Sequence, residues 1–281
     1  MSSLCFNNGL QRIGVQSSQA TSGSGPTFNA ARQIQVMSWD DSSSAFSAAT
    51  TTLGSPANEF DAAFDSTPTR TNQTVAHVMT IPTGSGNFTG RRTALHDDTA
   101  ANVTGSSATA VSGVDGQILV KNTDFSIAIT INHIYSSVAG GTSPISTIVT
   151  DQGLQRIGVQ ASQATAGSGP TYNSARFIQT GNIDDSASSI VAATTNLNTP
   201  TNRFAAAYTS ATRTAQTIAH VLTVPTGSGN FETKRLTSHD DTPANVTDTS
   251  TTLCSAIQGL SLTKTSDFSE TFTHNHVFTS I

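Results

Sequence analysis

Charge is scarce in this chain. Asp, Glu, Lys and Arg make up 11% of its 281 residues, against about 25% in a typical soluble protein. The net charge is −5, and the basic residues are scattered, Arg91-Arg92 and Lys234-Arg235 being adjacent pairs rather than runs. A protein that neutralises several phosphates needs a clustered basic face, so nucleic acid is not expected as a partner. No apolar stretch approaches the ~20 residues of a membrane span, so neither is a membrane. Residues 1–8, Met-Ser-Ser-Leu-Cys-Phe-Asn-Asn, lack the basic n-region and apolar core of a signal peptide. Synthesis in the cytoplasm without export by that route is the expectation. Four N-x-Thr sequons, at Asn72, Asn87, Asn102 and Asn245, are then read without glycans. Aromatics are few, and Trp39 is the only tryptophan. There are two cysteines, Cys5 and Cys254. They do not occupy equivalent positions of the repeat described next, as a duplicated disulfide framework would require. Two free thiols are the reading, with a Cys5–Cys254 bond as the alternative.

What fills the chain is Thr, Ser, Ala and Gly, written twice. Gly9-Leu10-Gln11-Arg12-Ile13-Gly14-Val15-Gln16 returns as Gly153-Leu154-Gln155-Arg156-Ile157-Gly158-Val159-Gln160, and residues 82–88 return as 225–231. The offset is 144 up to Ser66/Ser210 and 143 from Thr69/Thr212 onward. Solenoid repeats are far shorter, and a unit of this length can bury a core of its own. The division expected is a first domain at 1–138, a Gly-Gly- and Pro-marked linker at 139–145, and a second domain at 146–281, superposing as separate units.

Hydrophobic residues make up 35%, enough for a core. Thr74 to Ile81 alternates, with Val75, His77, Met79 and Ile81 on one face; Ile218, His220, Leu222 and Val224 repeat the face. Period two is the signature of a half-buried strand. Ile127, Ile129, Ile131, His133 and Tyr135 read likewise, as do Phe272, His274, His276 and Phe278; residues 118–120 form a shorter strand before them. Residues 32–36 and 176–180 read as strands. Leu10 and Ile13, between Gly9 and Gly14, predict one short helical turn at most. Asp40-Asp41 before Phe46, Ala49 and Leu53 suggests an Asp-capped helix, weakened by Thr50-Thr51-Thr52. The fold class is mainly β, two tandem β-sandwich or jelly-roll-like domains with one or two short helices each.

Chemistry-bearing patterns are sparse. Six histidines pair across the repeat, and His77 and His133 lie on apolar strand faces, where a core role is the plain reading. His96-Asp97-Asp98-Thr99 and His239-Asp240-Asp241-Thr242 could bind a metal or act as base and orienter. They also spell an ordinary Asx turn, the reading preferred here. Gly84-Ser85-Gly86 and Gly23-Ser24-Gly25 lack the lysine and helix of a phosphate loop. No nucleophile–base pair or carboxylate dyad stands out. Neither catalytic residues nor a cofactor are predicted, and the chain is read as not an enzyme.

The segment Thr150-Asp151-Gln152-Gly153-Leu154-Gln155-Arg156-Ile157 resembles the T-x-x-G-L-x-x-I opening of many tailed-phage virion proteins. Thr223-Val224-Pro225 with its Gly loop, and then Arg235 to His239-Asp240, is similar to the strand–loop–strand of tail-fibre and fibre-adaptor domains. So is Lys264-Thr265-Ser266-Asp267-Phe268 leading into a strand. The tandem repeat, without a long shaft or lyase region, departs from a complete fibre. The resemblance implies a non-enzymatic virion component (decoration, adaptor or tail appendage) whose partners are other virion proteins and copies of itself. A carbohydrate-binding module for host attachment is the alternative, with a host surface glycan as partner. Only the second copy carries His-x-His, His274 and His276, on one strand face. A metal shared there about a symmetry axis would match the iron sites of trimeric phage fibres. Fused copies in closed rings would meet different neighbours, which makes the divergent positions Trp39, Glu59, Arg203 and Ile131 candidate contacts.

Overall fold

The computed structural model describes residues 2–19, 21–24, 33–137, 146–162, 165–168 and 176–279; the expected linker lies outside the described residues. The first half runs β1 (Ser2–Cys5), α1 (Asn7–Ser18), β2 (Thr21–Ser24), β3 (Val36–Asp40), β4 (Glu59–Ala63), β5 (Thr69–Thr71), β6 (Thr74–Ile81), β7 (Thr89–Gly90), β8 (Arg92–His96), β9 (Ala110–Asp115), β10 (Leu119–Val120) and β11 (Ile127–Ile134). The second runs β12 (Ser146–Val149), α2 (Asp151–Ser162), β13 (Thr165–Ser168), β14 (Thr180–Asp184), β15 (Arg203–Ala207), β16 (Ser210–Thr214), β17 (Thr217–Val224), β18 (Glu232–His239), β19 (Leu253–Thr263) and β20 (Glu270–Val277). The chain is mainly β, as the alternation requires. β6 and β17 bury every second residue along their whole length, and β20 buries Phe272, His274 and His276.

Each half is a sandwich. Its five-stranded sheet has the order β1-β9-β8-β3-β4 in the first half and β12-β19-β18-β14-β15 in the second. Met37, Trp39, Leu95 and Val111 of the first sheet pack against Met79, Ile81 and Ile131 of the facing one. Ile183 and Leu236 meet Leu222, Val224 and Phe272 in the second half.

The facing sheets do not belong to one half each. Their orders are β11-β6-β5-β13 and β2-β16-β17-β20. β13 pairs in parallel with β5, and β2 in parallel with β16, so each half lends a strand to the other. The expectation of halves that share no sheet is corrected here. Its physical reason is the helix. Once α1 leaves β1 it crosses to the other half, and the strand after it is delivered there.

The helices are twelve residues long, not single turns. Gly9 and Gly14 are not boundaries but points of close approach on opposite sides. A Cβ on Gly9 would stand 2.1 Å from the Val111 carbonyl oxygen of its own half. One on Gly14 would stand 3.0–3.2 Å from Phe278 and Ile218 of the other half. A glycine inside a helix costs up to ~1 kcal/mol relative to alanine; here it admits the helix between two sheets. α2 starts on Thr150, whose Oγ1 accepts from the Gly153 N–H at 3.1 Å.

The expected Asp-capped helix after Asp41 does not form, because both aspartates are engaged otherwise. Arg92 donates to both Asp40 carboxylate oxygens at 2.9 and 3.1 Å, and to the Leu53 and Ser44 carbonyls. Asp41 accepts from the Ala57 and Asn58 N–H groups and the Asn58 amide. A buried guanidinium that takes up loop carbonyls orders residues 41–58 without helical bonds. Asp184 and Arg235 repeat the arrangement. The second member of each adjacent basic pair is thus spent inside the protein.

Trp39 and Gly90 fit as a pair: a Cβ on Gly90 would lie 1.7 Å from the indole Nε1. The second half has Ile183 and Thr233 at these positions, a smaller side chain facing a larger one. Gly90→Thr and Trp39→Ile should each destabilise the fold, and the double variant by less than their sum. A coupling of about 0.5–3 kcal/mol is expected, read by urea unfolding of the four proteins; additive losses would refute the pairing.

Candidate functional site

The chemistry-bearing residues gather where the helices meet the sheets. Arg12 and Arg156, in the two helices, are buried. Arg12 Nε lies 3.3 Å from Asp97 Oδ2, and Arg156 Nε 3.5 Å from Asp240 Oδ2. The first aspartate of each His-Asp-Asp-Thr stretch therefore anchors a helix. Burial pushes the Asp240 carboxyl up to about 6, against the pull of Arg156 and Arg176; a buried pair of this kind gains little net stability. The second aspartate closes the turn. Asp98 accepts from Thr99 N–H and Asn102 Nδ2, and Asp241 from Thr242 N–H and Asn245 Nδ2. His96 is fixed between Ser38 Oγ at 2.8 Å and Thr109 Oγ1 at 2.9 Å. His239 sits between Thr237 and Thr252. Burial lowers both rings to about 3. These imidazoles are neutral struts, and the turn reading describes the stretches.

A second polar layer runs under the helices. In the first half His77 Nε2 is 2.9 Å from Ser162 Oγ of α2, a bond between halves. His133 bonds Ser112, and its ring lies edge-on to His77. In the second half three rings gather. His276 Nδ1 is 3.2 Å from His220 Nδ1, and its Nε2 is 2.6 Å from Ser255 Oγ. His274 lies beside His276 with centroids 4.5 Å apart and the rings tilted by 34°. His274 and His276 are 3% and 7% exposed, so they face the sandwich interior rather than a symmetry axis outside it. Among the described residues no group of three or more His, Cys, Asp or Glu is arranged to hold a metal. Desolvation, together with His276 and His220, pushes His274 well below the ordinary imidazole value.

The other candidates are dispersed. Trp39 is fully buried and stacked on Phe88 at 4.2 Å, and Ile131 belongs to the same core, so neither reaches a neighbour in this fold. Glu59 is half-buried beside Asp61; desolvation and that carboxylate push it up to about 7. Arg203 pairs with Asp248 at 2.9 Å. The first half has Gly105 where Asp248 stands, so the charge reversal between Glu59 and Arg203 is answered within each half. Cys5 and Cys254 are not joined in a disulfide. Open depressions occur at equivalent places. One of about 520 Å³ is lined by Asp185, Asn202, Phe231 and Lys234 among others, and one of about 390 Å³ by Asn58, Glu59 and Phe88. The Asp185 carboxylate there is taken up by Thr201 and Asn202.

Sequence reading missed the contacts that cross between halves. Arg70 Nη1 donates to Gln155 Oε1 of α2, and Arg213 Nη1 to Gln11 Oε1 of α1. The available signal was Gln-Arg present twice between Leu and Ile, a polar pair with one charge inside an apolar pattern.

Arg235 and Asp184 are at most 1% exposed and 2.7 Å apart. Arg235→Met should cost about 3–5 kcal/mol, because an uncompensated carboxylate stays buried; a loss under ~1 kcal/mol in denaturant titration would contradict this. The histidine layer sets a pH dependence. An unfolded imidazole takes its proton near 6.5, and the folded His274 only far below that. Between these values the unfolded state binds more protons, so stability from this group is intact above 6.5 and lost as pH falls. His274→Ile, the residue of the first half, should gain on the parent protein by up to about 1.4 kcal/mol per pH unit below 6.5. A difference independent of pH between 7 and 4 would show that the ring is not held neutral.

Comparison with family models, with curated proteins and with solved structures finds no match for this chain.

Proposed function

We propose that the chain is a non-enzymatic structural component of a tailed-phage virion, built to join neighbours through protein–protein contacts. The observation that carries this reading is a pair of strands with one neighbour each among the described residues. β11 and β20 are the terminal strands of the facing sheets, one in each half and eight residues long. Neither contains lysine, arginine or proline, the residues with which monomeric proteins blunt such edges. Ile134 and Val277, at the same place in the two strands, are 72% and 64% exposed. Phe125 and Phe268, another equivalent pair, are exposed as well. β11 is without charge and β20 has only Glu270, at its first position; a strand edge of so little charge, ending in an aliphatic residue, recruits a further strand by main-chain hydrogen bonds. The low charge and the resemblance of residues 150–157 to phage virion proteins direct the reading to a virion.

The test is immunogold imaging of virions from the source of this sequence with antibody against the chain, joined to mass measurement of the purified protein. Label on one defined virion part is expected. An Ile134→Lys/Val277→Lys variant should be folded and at least tenfold weaker in joining it. Unlabelled virions, or a monomer without affinity for any virion component that binds sugar through either half, would overturn the proposal in favour of a glycan-binding module.

A further inference from the structure

We infer that the seam between the halves is self-complementary, so that each half recognises the corresponding half of a second copy of this chain. Contacts across the seam come in equivalent pairs. Arg70 meets Gln155, and Arg213 meets Gln11. The Ile34 N–H donates to the Ala161 carbonyl at 3.0 Å, and the Ile178 N–H to the Ser17 carbonyl at 2.9 Å. Gly158 lies against Tyr135 and Val75, and Gly14 against Phe278 and Ile218. β13 joins β5, and β2 joins β16, both in parallel.

The donor and acceptor of each pair are present in both halves. If two first halves met, Arg70 would face Gln11 of the other copy, the Ile34 N–H would face its Ser17 carbonyl, and Gly14 would lie on Val75 and Tyr135. Each of these contacts is of a kind that the protein already makes. This is the property of an isologous two-fold interface, in which one surface patch serves both sides. The chain is then the single-chain form of a dimer with exchanged arms. Covalent connection keeps the pairing within one chain at ordinary concentration, since joining two partners in one chain supplies an effective concentration of about millimolar. Exchange between chains follows where local concentration matches that value, as in an assembly. Among the described residues His77 to Ser162 is a cross-seam contact that the halves do not share; His220 bonds His276 instead. That difference bears on how strongly a given pairing is preferred.

The experiment starts from the full chain, with a protease recognition sequence inserted among residues 139–145. The folded protein is cut and examined by native mass spectrometry. The two fragments should stay together as one complex. After unfolding in guanidinium and refolding by dilution, complexes of two first halves and of two second halves should appear beside the mixed complex. Fragments that separate on cutting, or refolding that restores the mixed complex alone, would overturn the inference. A second measurement uses the uncut chain. Isotopically heavy and light protein, refolded together near millimolar concentration, should yield heavy–light dimers that Gly14→Val/Gly158→Val suppresses at least fivefold. No mixed dimer, or one indifferent to these substitutions, would overturn it too. Either failure leaves the virion reading to its own test.

Discussion

Each helix is enclosed by both halves of the chain, and the rest of the architecture depends on that. Helices α1 and α2 bury even their glutamines and arginines, which no apolar face could achieve. Arg12 and Arg156 are answered by aspartates of their own half; Gln11 and Gln155 are answered by arginines of the other. Burying an ionised side chain costs several kcal/mol unless its hydrogen bonds are met. A helix with these residues therefore has one suitable place, between a sheet of each half. The strand after it can then extend only the sheet it has reached. The exchange is a consequence of where the helix can be buried, not a separate feature of the fold.

The same economy of charge runs through the interior. The chain has few charged residues, and a large share of them are internal: Arg12, Arg70, Arg92, Arg156, Arg213 and Arg235 are all buried. Each is fixed to a carboxylate, an amide oxygen or loop carbonyls, as buried polar groups must be. Arg92 and Arg235 order loops that would otherwise lack regular hydrogen bonds. The surface is left to Thr, Ser, Asn and scattered aliphatics. A surface of that kind is weakly repelled by its neighbours, which suits subunits that pack closely and exposes strand edges that charge would otherwise protect.

Much of this was legible in the residues, and the failures have a common cause. The alternation of Thr74 to Ile81 gave β6 with its burial, and the repeat gave β17, since period two is a local property that a single strand carries by itself. The helices were underestimated because Gly9 and Gly14 look like breakers when only the local chain is considered. Their use appears only with Val111 and Ile218 in place. The helix expected after Asp41 was lost to Arg92, 51 positions further on. His-Asp-Asp-Thr looked chemical because its partners, Arg12 and Thr109, are remote in sequence. Trp39 looked like a contact because its matching glycine is also remote. In every case the deciding neighbour is a long-range one, which neither propensity nor spacing encodes.

The two copies show where such long-range constraints are strongest. Two of their differences come in compensating sets inside one half: Trp39 with Gly90 against Ile183 with Thr233, and Glu59 with Gly105 against Arg203 with Asp248. A set of that kind can change without any adjustment across the seam. At the seam the polar and glycine positions Gln11, Arg12, Gly14, Arg70 and His77 are repeated unchanged as Gln155, Arg156, Gly158, Arg213 and His220, while apolar neighbours vary in size, Val75 and Tyr135 against Ile218 and Phe278. Residues that serve two environments at once, a helix between two sheets or a guanidinium reaching into the other half, cannot be altered singly without leaving a buried polar group unpaired or a helix displaced. A single chain permits the two sides to differ. The glycines and polar residues around the helices are the same in both halves, and it is there, not in the strand faces, that the contacts between the halves are concentrated.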